Sequence, residues 1–264
     1  LKDTLRMARA YSNISSVLAL GGAYPEAFGE LNKARLLLEN QGDVRTTFKI
    51  YTQIGHNRFD LDMFLKARDW YEKSLLLRQQ SGDPVDIADG LVDLGNALDE
   101  LEHIDSSRLA VQYFQQALTI YRAEDDQPSI GLVCNNLGDG LKHLEQFDEA
   151  MKYLRESERI RQEMDDEPGL METYNTLNDV LFRQGKTLES LEYIRRYADI
   201  ADKIGNKNMR LSALKDFARA YAKLGEYAKA YEFQKQYNEE RFKLMDDRRA
   251  QNIETQQALT SAQE

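Results

Sequence analysis

Apolar residues recur along this chain at intervals of three and four, as in Cys134, Leu137, Gly138 and Leu141. No stretch alternates apolar and polar residues for long, and no Asn-Gly or Asp-Gly turn separates two β-branched runs. Such a pattern predicts helices with one packed face and essentially no strand. Turn-like breaks punctuate it at Gly42-Asp43, Gly82-Asp83, Asp125-Asp126, Asp165-Asp166 and Gly205-Asn206, with steps of 40, 43, 40 and 40 between them. Each break offers a left-handed stop and then an Asp or Asn to cap the next helix. Pro25, Pro84, Pro128 and Pro168 each stand at the start of a helical pattern. There a missing N–H has no consequence.

Small residues keep the same period. One series is Ala27, Ala67, Ala110, Ala150, Ser190 and Ala230, and a second, seven residues on, is Ala34, Ser74, Ala117 and Ser157. A third lies upstream at Ser15, Gly55, Gly95, Gly138, Asn178 and Ala218. Each member of the third series follows a large apolar residue: Ile14, Ile54, Leu94, Leu137, Leu177 or Phe217. Two antiparallel helices approach closely only where a small side chain on one admits the other. One such pair cannot bury its apolar face, so successive pairs must stack.

These residues resemble the tetratricopeptide repeat. The last repeat carries the pattern most fully, in Leu214, Phe217-Ala218, Tyr221, Gly225-Glu226-Tyr227, Ala230 and Tyr237. The first repeats it in Tyr11, Ile14, Leu18, Gly22, Tyr24, Ala27 and Ala34, and the fourth in Leu137-Gly138, Leu141, Phe147 and Ala150. The resemblance implies an all-α, right-handed superhelix of six helix pairs. Repeats fall at about 8–43, 44–83, 84–126, 127–166, 167–206 and 207–245, so that 1–245 is the superhelix and 246–264 a C-terminal helical extension or linker. Three departures stand out. The period is 40 where the family norm is shorter. Extra residues within Glu102–Leu109 are expected to lengthen the internal turn of repeat three. Asn178, Ser190 and Tyr197 should make repeat five the least regular. Repeats of this length look like those of peptide-sensing bacterial regulators, Pins-type polarity adaptors and kinesin light chains.

The resemblance implies that the first helix of each pair lines a concave groove. Counting around the packed Leu-Gly pair puts Asn135, Asp139 and Lys142 on its open side. The same positions elsewhere are Thr52, His56 and Phe59; Val92, Asn96 and Asp99; Asn175, Asp179 and Phe182; Lys215, Arg219 and Ala222. The candidate binding residues are therefore Asn96, Asn135, Asp139, Asn175, Asp179, Lys215 and Arg219. Asn donates and accepts at once, which suits an extended peptide backbone. Lys215 and Arg219, one turn apart, offer a grip for a carboxylate. The carboxylate clamp of chaperone-binding relatives also needs Lys and Asn in earlier repeats, where Ser12, Ser16 and Thr52 stand here.

Composition narrows the partner. The net charge is -10 and the sequence pI about 5.0. An acidic surface repels phosphate backbones, so a basic or mixed-charge protein or peptide fits and nucleic acid does not. No apolar run is long enough to enter a membrane. His56, His103 and His143 lack metal-ligand spacing, so no cofactor or metal is expected. Cys134 falls on the packed face. Trp70 and Tyr71 should pack between repeats. Acids abound, yet no pair stands in an apolar context suited to acid–base work. Nothing points to catalysis. The single cysteine and the absence of a visible signal peptide fit a cytoplasmic protein, and an extracytoplasmic sensor position also remains compatible. Beyond Tyr237 the chain has neither Gly nor Pro but few apolar residues, which predicts a projecting helix and a monomer or weak dimer through it. The tail resembles the segments that join such arrays to signalling output domains. Two readings follow: a regulatory or sensory peptide-binding module, or a constitutive scaffold joining partner proteins.

Overall fold

The computed structural model describes residues 2–39 and 43–261. Twelve α-helices and no strand occur among the described residues: α1 Lys2–Leu20, α2 Tyr24–Leu38, α3 Val44–Phe59, α4 Phe64–Ser81, α5 Pro84–Asp99, α6 Ile104–Ala123, α7 Gln127–His143, α8 Phe147–Glu163, α9 Glu167–Arg183, α10 Thr187–Ile204, α11 Lys207–Lys223 and α12 Tyr227–Ser261. The helix ends follow the breaks read from sequence. Asp43, Asp83, Asp126, Asp166 and Asn206 each cap a first helix by accepting backbone N–H bonds with the side chain. Gly82 and Gly205 hold the left-handed stop, at φ 75° and 71°, but Asp125 and Asp165 hold it too, at 55° and 54°. Gly42 lies outside the described residues.

The helices group into two compact units, Leu1–Ile160 and Arg161–Glu264. In the first, α1 pairs with α2, α3 with α4 and α5 with α6, and successive pairs meet through α2–α3, α4–α5 and α6–α7. The first helices lie side by side, α1 against α3, α3 against α5 and α5 against α7. In the second unit α9 pairs with α10, α10 meets α11, and α11 pairs with α12.

The small residues do what their spacing predicts. Ala27, Ala67, Ala110 and Ala150 have no exposed surface. A Cβ on Gly55 would meet the ring of Tyr71, one on Gly95 the ring of Phe114, and one on Gly138 the side chain of Leu154. Tyr71, Phe114 and Leu154 each stand one turn beyond the second-helix alanine, so glycine and alanine together let a large residue seat against bare backbone. Trp70 packs against the cluster of Leu31, Ala34, Leu38, Ile50 and Ile54, which joins the first two pairs. Cys134 is buried.

Three expectations change. The extra residues of repeat three do not lengthen a turn. They start α6 three residues earlier relative to Ala110 than α4 starts relative to Ala67, adding a helical turn. Repeat five keeps regular helices. Its unusual residues instead form a buried polar network, because Asn178 and Tyr197 both donate to the Asp216 carboxylate, at 2.8 and 2.7 Å. Ile14 is 47% exposed, whereas Ile54 is fully buried. Ile54 is covered by α2 of the preceding pair, and α1 has no helix before it among the described residues.

Candidate functional site

The faces presented by the first helices were expected to be open polar grooves. They are laced instead by side-chain bonds between residues about one repeat apart. In the first unit Ser12 donates to Gln53, His56 meets Asp93 at 3.3 Å, Asn136 donates to Asn96 at 2.9 Å, and His143 meets Asp99 at 3.0 Å. In the second, Arg219 donates to Asp179 at 2.7 Å and Lys223 to the Phe182 carbonyl at 3.0 Å. Both cations also lie 4.3 Å from the Phe182 ring centroid.

This lacing sorts the residues read from sequence. Asn96, Asp179 and Arg219 are rungs between neighbouring helices. Arg219 also reaches Asp216 at 3.2 Å, so the expected carboxylate grip is already filled by this chain's own acids. Asp139 is paired with Lys142, which is buried rather than open. Asn135 was also expected on the open side, yet only 9% of it is exposed. Thr52, Val92 and Asp99 are buried likewise. The open stripe is thus narrower than the count around Leu-Gly gives; at its first position Thr52 is taken up by Ser74 and Arg78 of α4, the second helix of its own pair. Asn135 keeps one open valence: its Oδ1 is buried without a hydrogen-bond partner. Asn175 is half-buried and Lys215 exposed.

Acids cluster on the first unit's face. Burial pushes the Asp89 carboxyl up from its usual range, and burial followed by the charges of Asp139 and Asp99 does the same to Glu100. In the second unit, burial raises Asp216. Nothing along the chain marks such acids, since burial depends on which repeat lies alongside. His143, Asp99 and Asp139, far apart in sequence, bring ligand atoms within 4.8 Å of one another. The Lys142 ammonium on Asp139 already supplies a cation there. The hydrogen bond to Asp99 holds the His143 imidazole above its ordinary 6.5, against desolvation and the Lys142 charge, with Asp139 adding to the rise. A raised imidazole stabilises the fold fully below the ordinary value and loses that contribution as pH rises through the folded value. Thermal melting of the chain should therefore fall as pH climbs from about 6.5 through the raised value. His143→Gln should flatten that part of the profile; an unchanged profile would remove the Asp99–His143 link from the account.

Buried arginines fix the pairs from behind. Arg78 donates to the Asp86 carbonyl at 2.7 Å, to Thr52 at 2.9 Å and to Asp93 at 3.3 Å. Arg161, its counterpart in the second unit, bonds Gly169, Glu172 and Thr173.

Residues 132–163 match the tetratricopeptide repeat family. They take in α7 from residue 132, its three-residue turn and α8, the pair in which Gly138 seats Leu154. The α7–α8 pair is a tetratricopeptide repeat. Solved structures share the repeat fold at low identity. The apo form of RapI superposes with a TM-score of 0.75 at 17% identity, over 92% of this chain and 85% of that one. The Rap conjugation gene regulator of plasmid pLS20, in complex with the Phr* peptide, gives 0.65 at 17%, over 89% and 74%. A signal-transduction ATPase with a tetratricopeptide repeat sensor from Pyrococcus horikoshii gives 0.70 at 19%, over 87% of this chain but 35% of that one. No curated protein matches the sequence. No helix among the described residues is long and apolar enough to cross a membrane.

Proposed function

We infer that these repeats form a regulatory module that binds a cation-bearing peptide or protein segment on the first-helix face of α5 and α7. The carrying observation is the Asn135 carbonyl, buried and without a partner. A buried acceptor left unpaired is unfavourable, and a bound backbone N–H would satisfy it. On the same face the Glu100 carboxyl, raised by burial and then by the charges of Asp139 and Asp99, favours a cation over a second acid. The Rap regulator held with a peptide has the same fold, which supports the reading by analogy.

An array of decapeptides graded from basic to acidic tests this. Basic members should be retained and acidic ones not. Asn135→Ala should weaken retention about two- to tenfold, the worth of one hydrogen bond, without lowering the melting temperature. Glu100→Gln should reduce the preference for basic members. Equal retention of acidic and basic members, or full retention by Asn135→Ala, would overturn the site. A change in small-angle scattering on adding the best array peptide is the expected mark of a regulatory module as opposed to a rigid scaffold.

A further inference from the structure

The seam between α1 and α3, outside the face just discussed, holds two cavities end to end. One, of about 570 Å³, is lined by Arg9, Ser12, Asn13, Arg45, Thr46 and Lys49 among others. The other, of about 530 Å³, is lined by Ser15, Ser16, Tyr24, His56, Asn57 and Asp60 among others. Gln53 borders both, and its side chain is held across the seam by Ser12 and Ser16.

The two ends have opposite chemistry. In the first cavity Arg9 and Lys49 are exposed cations, flanked by hydroxyl and amide groups. Arg45 is offset by Asp83 and Asp86, at 3.6 and 3.3 Å, and the Asp43 carboxylate accepts from the Thr46 N–H. Against the Asp43 carboxylate, which lines the same cavity, Arg9 and Lys49 leave a net positive charge to meet an anion. In the second cavity Asn57 is only 3% exposed. Its Nδ2 donates to the Tyr24 carbonyl at 2.9 Å, which fixes the orientation of the amide. Its Oδ1 is a buried acceptor with no donor, on a residue that lines the cavity. Asp60, exposed one turn further along α3, adds a negative charge. This end asks for a cationic donor.

We propose that the α1–α3 seam binds a free short peptide, its terminal ammonium at Asn57 and Asp60 and its terminal carboxylate at Arg9 and Lys49. From Lys49 to Asn57 and Asp60 is eight to eleven helical residues, about 12–16 Å at the usual rise. An extended chain covers that span with about four residues, at roughly 3.3–3.6 Å each. Gln53 at mid-span offers both a donor and an acceptor to the peptide backbone. The recognition is of ends and length, with little demand on side chains.

Affinity selection from a randomised tetrapeptide pool by the full chain, read by mass spectrometry, tests the assignment. Four versions of the pool are compared: free ends, N-acetylated, C-amidated and doubly blocked. The free pool should be enriched at least tenfold over the doubly blocked one, and a free dipeptide pool should lose that advantage because it cannot reach both ends. Arg9→Gln with Lys49→Gln should remove the penalty for amidation and keep the penalty for acetylation. Asp60→Asn should do the reverse, so each variant controls for the folding of the other. Asn135→Ala should leave the end selectivity untouched, which separates this seam from the α5–α7 face. Equal retention of blocked and free pools, or variants that lower all four pools alike, would overturn the proposal.

Discussion

Gly138→Leu is expected to lower the stability of the chain by about 1–3 kcal/mol or more, the range for overpacking a tight contact. The reason is local. A Cβ at residue 138 would stand 2.4 Å from Leu154 Cγ and 2.5 Å from its Cδ2. Leu154 is itself fully buried, so it has no free volume into which to turn. Even alanine at 138 should therefore be costly, which is not true of glycines on an open helix face such as Gly29, where an added Cβ would meet nothing within 4 Å. Shrinking the partner should help: Leu154→Ala in the Gly138→Leu background should recover part of the loss, giving a positive coupling in a double-mutant cycle. Denaturant melts of the four proteins decide this. Additive losses would mean that residues 138 and 154 do not face each other.

Asp216→Ala is expected to be about as damaging, at about 2–4 kcal/mol, by a different route. Asp216 Oδ2 accepts from both Asn178 and Tyr197, and Oδ1 lies 3.2 Å from Arg219. Asn178 and Tyr197 have no exposed surface. Removing the carboxylate leaves two buried donors with nothing to meet, which is worse than never having buried them. Truncating the whole set, with Asn178→Ala and Tyr197→Phe added to Asp216→Ala, should cost less than the single change predicts by addition. A melting temperature for Asp216→Ala equal to the parent's would show that water replaces the carboxylate freely.

The period, the helix pairs and the capping residues were legible because each is written locally. An Asp after a break caps whatever helix follows, and a glycine five or six residues before the turn, as at 55, 95 and 138, admits a large partner. What was illegible depends on the neighbouring repeat. The extra residues of repeat three have no Gly or Pro to declare a turn, and they joined α6. Asn135, expected on the open side, is buried, and no count along one helix reports which neighbouring helix covers a position. His143 and Asp99 are 44 positions apart, near one period, yet many residues are near one period apart without touching. The unpaired amide oxygen of Asn57 carried no signal at all, since the Tyr24 carbonyl that takes its Nδ2 lies 33 positions away in the preceding helix pair.

The lacing between first helices bears on how each unit responds to torque. Apolar cores resist compression but slide with little penalty, because dispersion contacts lack direction. Hydrogen bonds resist rotation, because they weaken steeply once misaligned. With pairs such as His56–Asp93 and Asn136–Asn96 along one edge, and an apolar core behind that is pinned locally by Arg78 or Arg161, each unit is stiffest along its laced edge. Under twist it should bend about the laced edge as a hinge-spine does, with solvent ions that compete for those polar pairs setting the restoring force.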